Sequence, residues 1–391
     1  MSDAGSSPIP RATYRLQFHK EFGFRDAAAL ASYLARLGVS HVYASSYLKA
    51  RPGSKHGYDI VDHGQLNPEL GDKTAFEDMV KAFRDNGLGQ ILDFVPNHMG
   101  VGGADNPWWL DVLEWGAQSE YAGWFDIDWD PDRRYLEGKL LVPFLGDQYG
   151  VVLESGQLTL RFDPETGGFA VFAYDAHKLP ICPLHYQRVL GDEHPELERL
   201  GDAFSGLLEW RPRIARRAKD LKTELGALAP ERSDVRQAVQ AAVDRINGQP
   251  GHLATCRRLD ALIQDQYWRA AHFRVAADDI NYRRFFNINE LAGLRMELPE
   301  LFDQAHRLAF KLLRDDVLDC LRSHRRATRS KRISLALARA GAQILLPHRR
   351  ENPRAPRGLR EDWPVEGTTG YEFPNLVLGL LVDPLGEEGF T

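Results

Sequence analysis

One stretch limits what this chain can fold into more than any other: "ILDFVPNHM", Ile91 to Met99. The run from Gln90 to Val95 is mostly apolar and ends in Pro96-Asn97-His98. It reads as a buried strand whose C-terminal edge brings an Asp, an Asn and a His to one spot. Side chains alternate along a strand, so Asp93 and Val95 share a face, and Asn97 and His98 follow at the mouth. In an eight-stranded α/β barrel that mouth is where chemistry sits. A buried strand with a polar exit turn explains the same residues, so the surroundings must decide.

Those surroundings alternate strand and helix. "ATYRLQF" (Ala12 to Phe18) reads as a strand, followed by a helix from Arg25 to Leu37 that Gly38 ends. A strand, Val39 to Ala44, leads into a loop from Ser45 to Leu70. A second helix, Lys73 to Asn86, ends at Gly87, and the strand Gln90 to Val95 follows. This order implies parallel βα units. Then the pattern changes. Asn106 to about His177 is rich in Trp, Tyr, Gly and Asp, with a hairpin expected over Gln157–Asp163 and Phe169–Asp175. Leu197 to about Ala276 reads as helical. Residues 1–99 are therefore taken as the first part of a barrel, 100–276 as an inserted subdomain and 277–391 as the barrel's continuation, resuming with a helix from Glu300 to Leu318.

Composition narrows the function classes. The chain has 391 residues, 43% of them hydrophobic, enough for a large core. The net charge of −6 gives no reason to expect nucleic acid as a partner. The first residues lack the apolar stretch of a signal peptide, and no apolar run is long enough to span a bilayer. Cys182, Cys256 and Cys320 are odd in number and far apart, which fits reduced thiols in the cytoplasm. No cluster has zinc spacing, so no metal is expected.

Several segments share a narrower pattern: "ATYRLQF", "ARPGSKHGYDIVDHGQLNPELG" (Ala50 to Gly71), "DFVPNHM", "NPWW", "INYRRFFNINELAGLRME" (Ile280 to Glu297) and "LREDWPVEGTTGYEF" (Leu359 to Phe373). Together they resemble the maltooligosyl trehalose synthase family of the α-amylase superfamily. The resemblance runs over Arg11 to about Arg322 and Leu359 to Thr391. It implies a TIM (β/α)8 barrel of the α-amylase type with a long insertion after the third strand, and no cofactor. It implies an intramolecular transglucosylase that turns the reducing-end α-1,4 bond of a maltooligosaccharide into an α,α-1,1 bond, in a pathway with a trehalose-releasing hydrolase. Tyr58, in "HGYD", resembles the residue that stacks on the sugar at the broken bond, and His98 the histidine that bonds that sugar's hydroxyl. Asp93 and Asn97 organise the site. Arg322, in "DCLR", and Tyr371, in "EGTTGYEF", complete the substrate-binding set. Arg283 and Arg284 fit hydroxyl binding or helix-surface ion pairing equally well. For most of Trp108, Trp109, Trp115, Trp124 and Trp129, packing is the expected role.

Retaining glycoside chemistry needs two carboxylates. In the family the nucleophile Asp follows a strand reading like "GLRID", and the acid/base Glu lies in one reading like "VVEKIL". Here "DCLRS" (Asp319 to Ser323) is followed by an Arg-rich stretch to Gly358 with one acid, Glu351, and no barrel-strand pattern is expected in it. Read from the second base of each back-translated codon, His324 to Lys331 allows Ile-Asp-Gly-Leu-Leu-Asp-Pro. The same frame over Leu346 to Gly358 allows Tyr-Leu-Ile-Val-Glu-Lys-Ile-Leu-Ala-Pro-His-Glu. Two long matches in one frame point to a frameshift near Arg322, corrected near Gly358. Both reacting carboxylates are then missing from the chain as it stands, and Glu351, among Arg349, Arg350 and Pro353, does not replace them. The remaining barrel strands have no counterpart after Thr391, so a barrel cut short before closure is expected. An α-amylase-type hydrolase and a non-catalytic glucan-binding remnant are the alternatives.

Overall fold

A computed structural model describes residues 10–207, 211–323, 343–347 and 367–369. They fall into two compact units, Met1–Asn97 with Met296–Thr391, and His98–Arg295.

The first unit is built on a parallel sheet of six strands. These are β1 (Thr13–Leu16), β2 (His41–Ala44), β3 (Gly89–Phe94), β4 (Cys320–Ser323), β5 (Gln343–Pro347) and β6 (Gly367–Thr369). They lie side by side in chain order, and β1 and β6 are the sheet's edges among the described residues. Parallel neighbours need a crossover between them. Helices α1 (Phe24–Ala29) and α2 (Ala31–Arg36) connect β1 to β2, α3 (Lys73–Asp85) precedes β3, and α4 (Pro299–Arg314) precedes β4. Helix α3 shows why these segments coil. The Asp72 carboxylate caps it by accepting from the Ala75 N–H at 2.8 Å. Phe76, Met79, Val80 and Phe83 recur at helical spacing and are all buried. They join Leu16, Phe24, Leu34, Val42 and Leu92 in one apolar core.

Three expectations need correction here. The helix read as Arg25 to Leu37 is two short ones, because the Leu30 N–H turns back to the Ala27 carbonyl at 3.1 Å and tightens the turn. The helix read to Leu318 stops at Arg314. Asp316 takes a left-handed φ of 54°, and the Val317 N–H closes the end on the Leu312 carbonyl at 2.8 Å. Most consequential is β5. The stretch after Ser323 was expected to hold no barrel strand, yet Gln343–Pro347 pairs in parallel with β4 on one side and β6 on the other. Ile344-Leu345-Leu346 is an apolar run suited to a strand flanked on both sides. The rest of 324–366 lies outside the described residues.

The second unit contains the expected hairpin, Leu158–Asp163 with Gly168–Ala173, extended by His177–Pro180 into a three-stranded antiparallel sheet. Helices Pro195–Ser205, Arg211–Glu231, Ser233–Asn247 and Arg257–Gln264 follow. The helical reading of Leu197–Ala276 fails at Trp268–His272, a strand that pairs in parallel with Leu140–Leu145. Trp268 is buried and its indole donates to the Pro180 carbonyl at 2.8 Å, a contact that favours an extended segment over a surface helix. His98–Gly100, Ile288–Gly293 and Arg284–Phe285 form another small sheet. The three cysteines are buried, and no disulfide links them. Among the described residues no helix is long and apolar enough to cross a membrane.

Candidate functional site

Polar side chains are rare inside a parallel sheet, and four of them converge in the first unit. Arg15 of β1 is in register with Tyr43 of β2, Tyr43 with Ile91 of β3, and Arg322 of β4 with Asp93 of β3. Asp93 is two residues beyond Ile91, so it faces the same way. Its carboxylate is almost wholly withdrawn from solvent, at 2% exposure, a state that is costly unless its oxygens are paired. They are. Oδ2 accepts from the Tyr58 hydroxyl at 2.6 Å, the Tyr43 hydroxyl at 2.9 Å and Arg15 Nη1 at 3.3 Å. Oδ1 accepts from Arg322 Nη1 at 2.7 Å. Burial first, and then the Asp93 charge, push the Tyr58 phenol up to about 12 and raise the Tyr43 phenol as well. Both therefore remain protonated donors near neutral pH.

Tyr58 comes from a loop, and the backbone there is demanding. Gly57 has φ +72°, and a Cβ on it would lie 2.6 Å from the Ser46 carbonyl oxygen, so glycine alone fits. The Tyr58 N–H donates to His56 Nδ1 at 3.0 Å. The His56 and Tyr58 rings are nearly parallel, with 12° between planes and 6.0 Å between centroids. Gln17 Nε2 donates to the His56 carbonyl at 3.0 Å.

Of the residues singled out from the sequence, the structure brings Tyr58, Asp93 and Arg322 into one cluster. Asn97 is buried in the same unit. His98 belongs to the second unit, at 1% exposure, with its ring stacked on Phe285 at 4.1 Å and 20°. Tyr371 lies outside the described residues. Arg283 and Arg284 are not on a helix surface. Arg283 pairs with Asp126 at 2.8 Å, and Arg284 at the start of a short strand donates to Asn289 Oδ1 at 2.6 Å. Trp109 and Trp115 are core residues, Trp109 with edge contacts to Phe125 and Tyr282. Arg15 and Tyr43 are the members that sequence reasoning missed. Their only signal was a charged or phenolic residue at the strand position in register with the face of Asp93.

Four donors saturate Asp93, so the cluster is a rigid polar floor and not a source of base or nucleophile. It presents the half-buried Tyr58 ring, a group suited to a sugar's C–H face. Among the described residues no group of three or more His, Cys, Asp or Glu could hold a metal ion.

A parallel βα sheet carrying its polar cluster at these strands defines an α/β fold of the α-amylase barrel type. The family model for the α-amylase catalytic domain matches residues 29–150. More narrowly, the chain is related to the maltooligosyl trehalose synthases. A Mycobacterium tuberculosis protein provisionally named maltooligosyl trehalose synthase is 31% identical over 97% of this chain and 40% of its own length. The solved maltooligosyltrehalose synthase of Arthrobacter ramosus is 29% identical with a TM-score of 0.67, covering 97% of this chain and 39% of that one. An intracellular maltogenic amylase of Bacillus subtilis is 37% identical over 95 residues, 24% of this chain and 15% of that protein. The chain thus spans well under half the length of the synthases it resembles.

Proposed function

We propose that this chain corresponds to the front part of an intramolecular transglucosylase that converts the reducing-end α-1,4 bond of maltooligosaccharides into an α,α-1,1 bond. The observation that carries the reading is the Asp93 cluster, a saturated carboxylate holding Tyr58 beside two arginines on the parallel sheet. Similarity along nearly the whole chain to maltooligosyl trehalose synthases favours this over plain hydrolysis. The reaction is a double displacement. A carboxylate attacks the anomeric carbon while a carboxylic acid protonates the departing oxygen. The departing glucose then turns, and its own anomeric hydroxyl attacks the glycosyl–enzyme bond, restoring the carboxylate and returning the proton. Excluding water favours transfer over hydrolysis.

The chain as it stands is read as able to bind glucan and unable to turn it over. The two reacting carboxylates are expected in the shifted frame of 323–358, and Tyr58, Asp93, Asn97, His98, Arg322 and Tyr371 are the proposed substrate-binding set. The working partner in the cell is a hydrolase that releases trehalose, in the cytoplasm.

The short match to a maltogenic amylase favours a second reading, an α-1,4-glucan hydrolase. One experiment separates them. The codons for Asp319 to Leu359 are resequenced, the frame is repaired, and the protein, supplied with the part its relatives have beyond this match, is incubated with maltopentaose. Non-reducing product is expected. Free glucose and maltose would mean a hydrolase, and an intact frame in several isolates would defeat the frameshift.

A further inference from the structure

Tyr58 sits on a loop, yet its hydroxyl is tied by side chains to β1 and β3. Arg15 Nη2 donates to the Tyr58 hydroxyl at 2.6 Å and to Gln17 Oε1 at 3.1 Å, while Nη1 reaches Asp93 at 3.3 Å. Tyr58 in turn donates to Asp93 at 2.6 Å. Gln17 holds the His56 carbonyl, and His56 Nδ1 holds the Tyr58 N–H. The circuit closes: Arg15 to Gln17 to His56 to Tyr58 and back to Arg15. Behind it the guanidinium lies over the Tyr43 ring, 4.9 Å from its centroid, which fixes the plane of the fork.

We propose that Arg15 is a positioning residue that presents the Tyr58 ring to an α-1,4-glucan, acting through the phenol and Gln17 and not on the sugar. The inference rests on the reading above that Tyr58 carries the sugar. It follows from the shape of the guanidinium. One planar fork serves Asp93 with one nitrogen and Tyr58 and Gln17 with the other. A lysine would keep the charge beside Asp93 but, as a single point, would lose the geometry that turns the phenol. A loop ring held at its hydroxyl and its backbone loses little freedom when a sugar stacks on it, so the anchoring raises affinity without touching the ligand.

The test uses the full 391-residue chain with Arg15→Lys, Tyr58→Phe and the double variant. Maltohexaose binding is measured by calorimetry, and the Tyr58 ring is followed by NMR of isotope-labelled tyrosine in the presence of a soluble paramagnetic relaxation agent, with Tyr58→Phe assigning the signal. In Arg15→Lys the Tyr58 signal should broaden several-fold more than in the unaltered chain. Binding should weaken about 2- to 10-fold, the cost of immobilising again one loosened side chain. The loss in the double variant should be smaller than the product of the two single losses, since both changes cut the Arg15–Tyr58 connection. Losses that multiply would mean that Arg15 contacts the sugar itself and would overturn the inference, as would an unchanged Tyr58 signal. If the unaltered chain binds no maltohexaose, the glucan reading fails, and the Tyr58 signal alone decides whether Arg15 positions the ring. Gln17→Ala guards against an Arg15 variant that folds poorly. It should shift the Tyr58 signal in the same direction by less, and no shift would also count against the circuit.

Discussion

Replacing Asp93 by asparagine keeps the shape of the side chain and removes its charge, which isolates what the carboxylate does for the fold. Four donors converge on it: Arg322 on Oδ1, and Tyr43, Tyr58 and Arg15 on Oδ2. An amide replaces one acceptor oxygen with a group that carries two hydrogens. In either orientation that group faces a donor, and the less damaging choice gives up Arg322. The Arg15 side chain is 37% exposed and can take up water, whereas that of Arg322 is 16% exposed and largely cannot. Removing one partner of a buried ion pair costs about 3–5 kcal/mol, and the lower end, about 3, fits a cluster with one half-open member. For a folded unit of this size that corresponds to a fall in melting temperature of about 6–12 °C. Far-UV circular dichroism melts of Asp93→Asn and of Asp85→Asn make the comparison. Asp85 pairs with Lys81 on an exposed face, where an ion pair contributes little. A melt for Asp93→Asn within about 2 °C of the Asp85→Asn control would refute the reasoning, because at that size the shift is ordinary surface noise.

Gly57→Ala should destabilise by about 1–3 kcal/mol, as strained left-handed residues do, and should weaken maltohexaose binding by displacing Tyr58. Gly53→Ala is the contrast, since Gly53 has a similar φ of +74° but nothing within 4 Å of the added methyl, so a shared loss of binding would disconnect Gly57 from the site. His306, buried among Phe94, Phe302 and Phe310, is lowered by that burial from its ordinary 6.5 to about 3. The unfolded chain then binds the extra proton over that window, so the stability due to a neutral His306 is complete above 6.5 and is lost as pH falls toward 3. Denaturant titrations of His306→Leu should show a flatter decline across the same window, and an unchanged slope would remove His306 as its cause.

What the sequence made visible depended on contrast. Asp93 stood out because one acid interrupts an apolar run. Arg15 did not, because "ATYRLQF" alternates like any half-exposed strand, and Tyr43 did not, because it is one aromatic residue in the short strand His41–Ala44; only the strand register places both on Asp93. The residues of β5 were hidden by their surroundings, since Gln343–Pro347 is five residues in an Arg-rich stretch and strand pairing is a long-range event that no local count reveals. The break at Leu30 lies in unbroken apolar periodicity, so the pattern carries no sign of it. Asn97 and His98 are neighbours in the chain and were read as one constellation, yet they fall in different packed units.

The sequestered thiols offer a way to watch the molecule open. Cys182 and Cys256 lie in one unit and Cys320 in the central strand β4 of the other, each no more than 2% exposed. Burial pushes the Cys182 thiol up to about 12, so it is inert where it stands. A thiol reagent can react only after the surrounding segment has let go, and the reaction then counts local or global unfolding events. In a Cys182→Ser/Cys256→Ser variant the remaining Cys320 times the breathing of the sheet that holds Asp93, and in a Cys320→Ser variant the remaining two thiols time that of the other unit, so the chain becomes a pair of molecular clocks.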